Sequence, residues 1–176
     1  MITIIILIIK SIDQETYNKI LESLDLTKIQ CKCKQAHFVR HGCYERDVCF
    51  ADQAFRLKVQ RVKCKSCGHT HGIVPDLIVP YQCLSADVQR IVIQYPLGST
   101  EVEELMVSNP EIDIPKVLAA RKRYHDNWKE RVRTMGMDLC SSISDLINSS
   151  FSWFGKQFLQ IWRGTNIKFC PSTFPK

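Results

Sequence analysis

The sequence predicts an α+β fold in which a small β module precedes a helical module. Residues 30–80 are rich in cysteine, basic residues and short β-type runs, and they show no sustained helical period. From Ser85 onward, apolar residues recur instead at three- and four-residue steps behind capping residues. Pro80 separates these two patterns, so we expect the change of structure to fall there.

The overall composition is that of a folded protein with room for one or two modules. The chain has 176 residues, of which 45% are hydrophobic and 24% are charged, with only seven glycines and seven prolines. Such values argue against a long disordered tract. We predict a strand–helix lead-in (1–29), a small β module (30–81), a helical module (82–136) and a helical or irregular carboxyl-terminal segment (137–176).

The chain begins with an apolar, β-branched run over residues 2–9, which predicts a buried strand. A secretory signal needs a basic start and a small-residue cleavage site, and a membrane span needs ~20 apolar residues. The run lacks these features and ends at Lys10, so we expect no membrane association. Ser11 and Gln14 then form a capping-box pattern for a helix to about Leu26.

The middle of the β module has the pattern of a hairpin. Two β-type runs, 48–50 and 55–62, flank a polar break at residues 51–54. In the second run, apolar residues alternate with Arg56 and Lys58, as expected for a strand with one buried face. Such a hairpin would bring together the cysteines that lie before and after it.

Two close cysteine pairs flank this hairpin. The first is Cys31-Lys32-Cys33, and the second, 30 residues further on, is Cys64-Lys65-Ser66-Cys67. Thiolate-bound zinc needs four donors about 2.3 Å from the metal in a tetrahedron, and Gly68 permits the positive-φ turn of a zinc knuckle. The predicted fold is therefore a small β zinc ribbon followed by an α-helical, helix-turn-helix-like module. We predict one structural Zn2+ held by Cys31, Cys33, Cys64 and Cys67.

The metal should also matter for folding. Because residues 30–80 contain few apolar side chains, we expect metal binding to contribute on the order of 10 kcal/mol to that region. Its removal should then melt the region. The total of nine cysteines is odd, so it excludes a fully paired disulfide framework and indicates a reducing, cytoplasmic environment.

The cysteines have other possible uses. They could be reduced core residues, or Cys64 and Cys67 could serve thioredoxin-like redox chemistry. Redox chemistry needs a helix at the motif, which Gly68, Thr70 and Pro75 oppose. His69 and His71 could replace a cysteine ligand, but we place them outside the primary set. Five cysteines without paired spacing are interpreted as packing residues or free thiols: Cys43, Cys49, Cys83, Cys140 and Cys170.

The second hairpin arm is basic. No acidic residue lies between Asp52 and Asp76, and the arm and knuckle carry a run of Lys and Arg. We expect a positive stripe that follows phosphates, although such a run can also be a solvated face. The residues expected to contact phosphate are Arg56, Lys58, Arg61 and Lys63.

Three helices are predicted after Pro80. Ser85 caps the first, which runs to about Tyr95, and Thr100 with Glu103 forms a capping box for the second, to about residue 108. The third begins at residue 113 or 114 and continues to about 134. It has a buried stripe, predicted to comprise Val117, Ala120, Tyr124, Trp128 and Val132.

The third helix is strongly basic. Residues 116–133 hold seven basic side chains and two acidic ones. A short capped helix, a turn and a basic amphipathic helix together match the outline of a helix-turn-helix, although a plain helical bundle fits the same pattern. The residues expected to contact bases or the DNA groove are Lys116, Arg121, Lys122 and Arg123.

A family resemblance rests on residues 31–33, 42–46 and 61–71, and on Pro75 with residues 79–81. Over these stretches the chain resembles an uncharacterised bacterial zinc-ribbon family described as transposase-like. Its members are similar to the amino-terminal, DNA-binding parts of insertion-sequence transposases, in which a zinc ribbon precedes a helix-turn-helix. The resemblance implies the same four zinc ligands: Cys31, Cys33, Cys64 and Cys67.

The expected function is DNA binding without catalysis. A transposase nuclease needs a carboxylate triad that binds two metal ions, and residues 137–176 contain only Asp138 and Asp145 as acids. We therefore expect no enzyme activity, but a nucleoid-associated protein that binds double-stranded DNA. It would be transposase-like, or a transposase fragment without a nuclease domain.

An alternative function is a protein-interaction adaptor or small transcriptional regulator, in which the zinc ribbon is purely structural. The carboxyl-terminal segment is rich in aromatic side chains, which could dock a partner, form a homodimer or pack in a core. These residues are Phe151, Trp153, Phe154, Phe158 and Trp162.

Overall fold

The fold combines a small sheet with several helices. A computed structural model describes residues 2–4, 12–29, 31, 33–34, 37–79, 81–134, 142 and 144–148, with the backbone alone for 2–4 and 127–134. The strands are β1 (Ile2–Ile4), β2 (Phe38–Cys49), β3 (Ala54–Cys64) and β4 (Thr70–Pro75). The helices are α1 (Gln14–Ser23), α2 (Ala86–Gln94), α3 (Thr100–Ser108) and α4 (Ile114–Thr134), and a 3-10 turn spans Leu26–Lys28.

The sheet has three antiparallel strands in the order β4-β3-β2, and β1 pairs in parallel with the outer side of β4. The hairpin predicted around residues 51–54 is present, but its first arm begins at Phe38 rather than at residue 48. The sequence pattern missed these ten residues because most of them face solvent. Pairing with β3 fixes them as strand, with a bulge near Gly42, where φ is +69°.

Helix α1 lies against the part of β3 that β4 does not cover. The side chain of Gln14 bonds both backbone groups of Lys58, accepting from its N–H at 2.8 Å and donating to its carbonyl at 3.3 Å. This contact supplies partners that a neighbouring strand would otherwise provide. The helix begins at Gln14 with Asp13 as its cap, so the predicted Ser11 capping box was wrong.

The β module has a hydrophobic core of its own, at the end of the hairpin that is far from the four cysteines predicted to bind a metal. Contrary to the expectation of few apolar side chains, this core is well filled. Its buried members are Ile12, Tyr17, Val48, Phe50, Leu57, Val59, Val74, Leu77 and Ile78.

A second core joins the helices to the sheet. Ser85 caps α2 as predicted, accepting from the N–H of Val88 at 3.3 Å, whereas Ser99 rather than Thr100 occupies the cap position of α3. Helix α4 packs against α2, and Val117 and Ala120 of the predicted stripe are buried. The core comprises Cys49, Leu84, Val88, Val92, Leu105, Ile112, Val117 and Ala120.

A short helical stretch at 144–148 lies beside α2, where the Gln94 amide donates to the Ser144 hydroxyl at 3.0 Å. The helix predicted from residue 151 and its aromatic side chains lie outside the described residues. So do the side chains of Trp128 and Val132. In the part of the chain that is described, no helix has the length and apolar character needed to cross a bilayer.

Candidate metal centre

The four cysteines predicted to bind a metal converge on one point. Their sulfur atoms all lie within 4.8 Å of one another. The Sγ atoms of Cys31 and Cys67 are 3.5 Å apart, and those of Cys33 and Cys64 are 3.7 Å apart. Four sulfurs placed tetrahedrally about 2.3 Å from a metal are separated by about 3.8 Å. The cluster could therefore hold a metal ion with only small adjustments.

The second cysteine pair sits in a tight turn at the end of β3. Cys64 is the last residue of the strand, and its carbonyl accepts from the N–H of Gly68 at 2.9 Å. Its own N–H donates to the carbonyl of His69 at 2.9 Å. Gly68 has a φ of +74°, which glycine adopts without steric cost. These contacts fold the chain back so that Cys67 faces Cys64.

The first pair is held beside this turn by the loop that leads into β2. Lys34 donates its N–H to the carbonyl of Cys31 at 2.8 Å and has a φ of +65°, so the loop turns sharply after Cys33. The carbonyl of His37 then accepts from the N–H of Lys65 at 2.8 Å. This link ties the loop to the knuckle, which explains how a Cys-X-Cys pair presents two sulfurs to one centre.

Backbone N–H groups favour a thiolate at the centre. The N–H of Cys67, and then that of Ser66, lower the pKa of Cys64 to about 6 because they donate to its sulfur. The N–H of His69 lowers the pKa of Cys67, but burial and contacts with neighbouring thiols outweigh it and raise the value to about 12. A bound cation would displace the remaining thiol protons.

Two histidines touch the sulfurs from outside the cluster. The Nε2 atom of His71 lies 3.4 Å from Sγ of Cys31, and this side chain is buried, with its ring edge-on to Phe38. The Nδ1 atom of His69 lies 3.3 Å from Sγ of Cys67 and is exposed. Both imidazoles are therefore placed to make N–H···S contacts around four sulfur donors.

The basic residues of β3 form two patches rather than one stripe. Side chains alternate along a strand, so Arg56 and Lys58 project from one face while Arg61 and Lys63 project from the other. All four are exposed. Arg56 is also paired with acids, with Nε 3.0 Å from Asp47 and Nη1 3.7 Å from Glu45. The predicted single stripe was therefore wrong.

Two of the four basic residues predicted on α4 are engaged within the fold. Lys116 lies 3.0 Å from Asp113 and donates to the carbonyl of Glu111 at 2.5 Å. Arg121 donates to the carbonyls of Val92 and Tyr95, at 3.0 and 2.6 Å. It thereby supplies donors to the last turn of α2.

The other two residues predicted on α4 are differently placed. Lys122 is exposed and lies 3.1 Å from Asp126, while Arg123 is half-buried. Sequence reasoning also missed the proximity of Cys49 and Cys83, because 33 residues lie between them and neither belongs to a closely spaced cysteine pair. Only the contact between the sheet and the segment before α2 brings them together.

The fold and the site together define a mixed α/β protein whose four-cysteine cluster fits a zinc ribbon. Residues 30–108 match the family described as Domain of unknown function (DUF6431). The matched range contains all four cysteines, the hairpin, α2 and α3. No curated protein and no solved structure gives a significant match. The transposase-like relationship therefore stays a prediction, and function has to be argued from the site.

Proposed function

We propose that this chain is a zinc-dependent DNA-binding protein of transposase-like type, without a nuclease domain. The supporting observation is that an exposed basic patch, defined as Arg61, Lys63 and Lys65, lies on the end of β3 and the turn that carry the cluster cysteines Cys64 and Cys67. None of the three has an acidic partner within 4.0 Å among the described residues. A rigid patch of this kind suits contact with phosphates.

Zinc is the metal that the donor set fits best. Four sulfur donors in a compact tetrahedral arrangement are typical of structural zinc sites, in which no coordination position is left open for a substrate. Hard cations such as Mg2+ and Ca2+ prefer oxygen donors. The proposed role of the ion is to fix the knuckle, and with it the basic patch at the end of β3.

The neighbouring lysines also have a simpler explanation. Four thiolates around a divalent cation carry a formal net charge of about −2, so Lys63 and Lys65 could serve only to offset that charge. In that case their removal would weaken metal binding. If they contact phosphate, their removal weakens DNA binding while the zinc content stays unchanged.

The helical module is proposed to add a second contact as a helix-turn-helix. Helices α3 and α4 are joined by the short segment 109–113, and Lys122 is exposed on α4. Because Lys116 and Arg121 are bonded within the fold, the proposal assigns the DNA contact on α4 to Lys122, whose side chain is exposed and pairs only with the solvent-facing Asp126 among the described acids. Lys116 and Arg121 then hold the helix in position.

The test is binding of a fluorescent DNA duplex to zinc-loaded protein, followed by anisotropy as salt is raised. The three phosphate contacts of the basic patch alone predict a slope of about −2.7 in a plot of log K against log salt, or ~40-fold weaker binding between 50 and 200 mM, and contacts from α4 make the slope steeper. Lys63→Gln should make the slope shallower by about 0.9, whereas Lys19→Gln, on α1, should leave it unchanged. Salt-independent binding, or no binding, would overturn the proposal.

A further inference from the structure

Cys49 and Cys83 are held side by side where the sheet meets the helices. Cys49 is the last residue of β2, and Cys83 lies shortly before α2. The N–H of Cys49 donates to the carbonyl of Cys83 at 2.8 Å, and the carbonyl of Cys49 accepts from Ser85 at 2.9 Å. A backbone hydrogen bond of this length keeps two α-carbons no more than ~7 Å apart, near the upper limit for a disulfide.

Cys49 is a buried member of the second core, and Cys83 packs against the same core. Neither belongs to the four-cysteine cluster, and both are free thiols. Cys49 is only 3% exposed, whereas Cys83 is half-buried and lines an open cavity of about 450 Å³ beside Arg46 and Tyr81. A small solute can therefore reach Cys83, while Cys49 is shielded behind it.

The surroundings of the pair shift the pKa values of the two thiols in opposite directions. The hydrogen bond from Cys49 is the main reason that the pKa of Cys83 falls to about 6, and the ammonium group of Lys116 lowers it further. The same contact raises the pKa of Cys49, with burial adding to the rise and Glu111 contributing in the same direction. Ionisation is thus favoured at Cys83 over Cys49.

We propose that Cys83 and Cys49 form a peroxide-reactive pair that closes to an intramolecular disulfide. The Cys83 thiolate attacks hydrogen peroxide, the O–O bond breaks, and the hydroxide released takes a proton to become water. The sulfur of Cys49 then attacks the resulting sulfenic acid of Cys83, and its thiol proton leaves with the hydroxyl group as a second water. Two thiols are oxidised and one peroxide is reduced to two waters.

This chemistry is independent of the proposed DNA binding. Its direct consequence is a covalent link between the end of β2 and the segment before α2, across the junction of the two cores. Cys43 provides a matched reference thiol, because it is exposed on β2 and remote from this pair in the pairing of the strands.

The test uses the full chain loaded with zinc and treated briefly with hydrogen peroxide. Remaining thiols are alkylated under denaturing conditions and the disulfides are mapped by peptide mass spectrometry. The expected result is a peptide linked through Cys49 and Cys83 with the zinc content unchanged. Cys83 should react at least ~10-fold faster than Cys43, because the thiolate is the reactive form.

Two variants identify the steps. Cys49→Ser should stop the reaction at the sulfenic acid of Cys83, which dimedone traps, whereas Cys43→Ser should leave disulfide formation unchanged. Absence of the Cys49–Cys83 link in the unmodified chain would overturn the proposal without reference to any variant. So would oxidation that begins at the zinc ligands and releases the metal.

Discussion

The Nε2 atom of His71 lies 3.4 Å from the sulfur of Cys31, and both side chains are buried. Their positions are 40 residues apart, so the contact exists only because the loop at Cys31 closes over β4. An imidazole in this position can donate to a ligand sulfur and orient it without binding the metal itself. The histidine is therefore expected to tune metal affinity rather than to set the number of ions bound.

His71→Ala should lower zinc affinity by about 10- to 100-fold and leave one zinc per chain at saturation. Competition with a chromophoric chelator measures the affinity, and elemental analysis gives the stoichiometry. The control is His41→Ala, an exposed position on β2, which should behave as the unmodified protein. If His71→Ala could not be filled with one zinc, His71 would have to be counted as a ligand.

Gly68 should be needed for its backbone conformation rather than for space. Its φ is +74° and an added Cβ would meet nothing within 4 Å, so Gly68→Ala introduces backbone strain alone. We expect a loss of ~1–2 kcal/mol in denaturant unfolding together with weaker zinc binding, and a smaller loss for Gly68→Asn.

Gly98 offers a matched comparison, since its φ is +87° and its surroundings are also open, but it lies between α2 and α3. Gly98→Ala should cost similar stability and leave zinc affinity unchanged. Equal zinc affinity in both alanine variants would contradict the assigned role of Gly68.

Zinc removal should melt one end of the β module rather than all of it. On the proposed assignment the knuckle depends on the metal, whereas the far end of the hairpin has the hydrophobic core that contains Leu57 and Val59. After chelation, hydrogen exchange should become fast at the amides of Cys64 and Gly68 and remain slow at Leu57 and Val59. Loss of protection from hydrogen exchange throughout β2 and β3 would show that the core does not stay folded without the metal.

Tyr17 should contribute stability through its hydroxyl. The hydroxyl donates to the carbonyl of Ile73 at 2.8 Å and accepts from the N–H of Gln60 at 2.9 Å, and burial raises its pKa to about 12. Tyr17→Phe leaves the carbonyl of Ile73 and the N–H of Gln60 without this hydrogen-bond partner. The free energy of unfolding, measured with denaturant, should fall by ~1–3 kcal/mol. Tyr81→Phe, at a side chain that is 78% exposed, should change stability by less than ~0.5 kcal/mol.

Arg121 and Lys122 are adjacent in sequence, but their substitution should change different properties: stability for Arg121 and DNA binding for Lys122. Arg121→Met removes two charge-assisted hydrogen bonds to the last turn of α2 and should cost ~1.5–3 kcal/mol of stability. Lys122→Met should leave stability nearly unchanged and make the salt dependence of DNA binding shallower. The reverse pattern would place Arg121 at the DNA and contradict the assignment made from its contacts.

Much of the site was predictable because metal ligation leaves a local signature. Cysteine spacing and Gly68 indicated the four sulfurs before their positions were known, and helix α4 followed from periodicity and a proline in its first turn. The first hairpin arm, Phe38–Cys49, was not predictable in full, because most of its residues before Val48 are exposed. Its strand structure comes from pairing with β3, which is a non-local interaction.

Two other features depended on tertiary structure in the same way. The internal bonds of Arg121 and the meeting of Cys49 with Cys83 have no local sequence signal, whereas the division of the basic residues between two faces could have been read from the alternation of side chains along β3. Capping was the least reliable inference, since Asp13 and Ser99 occupy cap positions that neighbouring residues could have filled.

The most direct test of the central claim is X-ray absorption at the zinc edge of the purified, metal-loaded chain. Binding of one zinc by Cys31, Cys33, Cys64 and Cys67 predicts four sulfur scatterers at about 2.3 Å and no nitrogen in the first shell. A first shell that contains imidazole nitrogen or oxygen would contradict the four-cysteine assignment, and with it the account of how the basic patch is held.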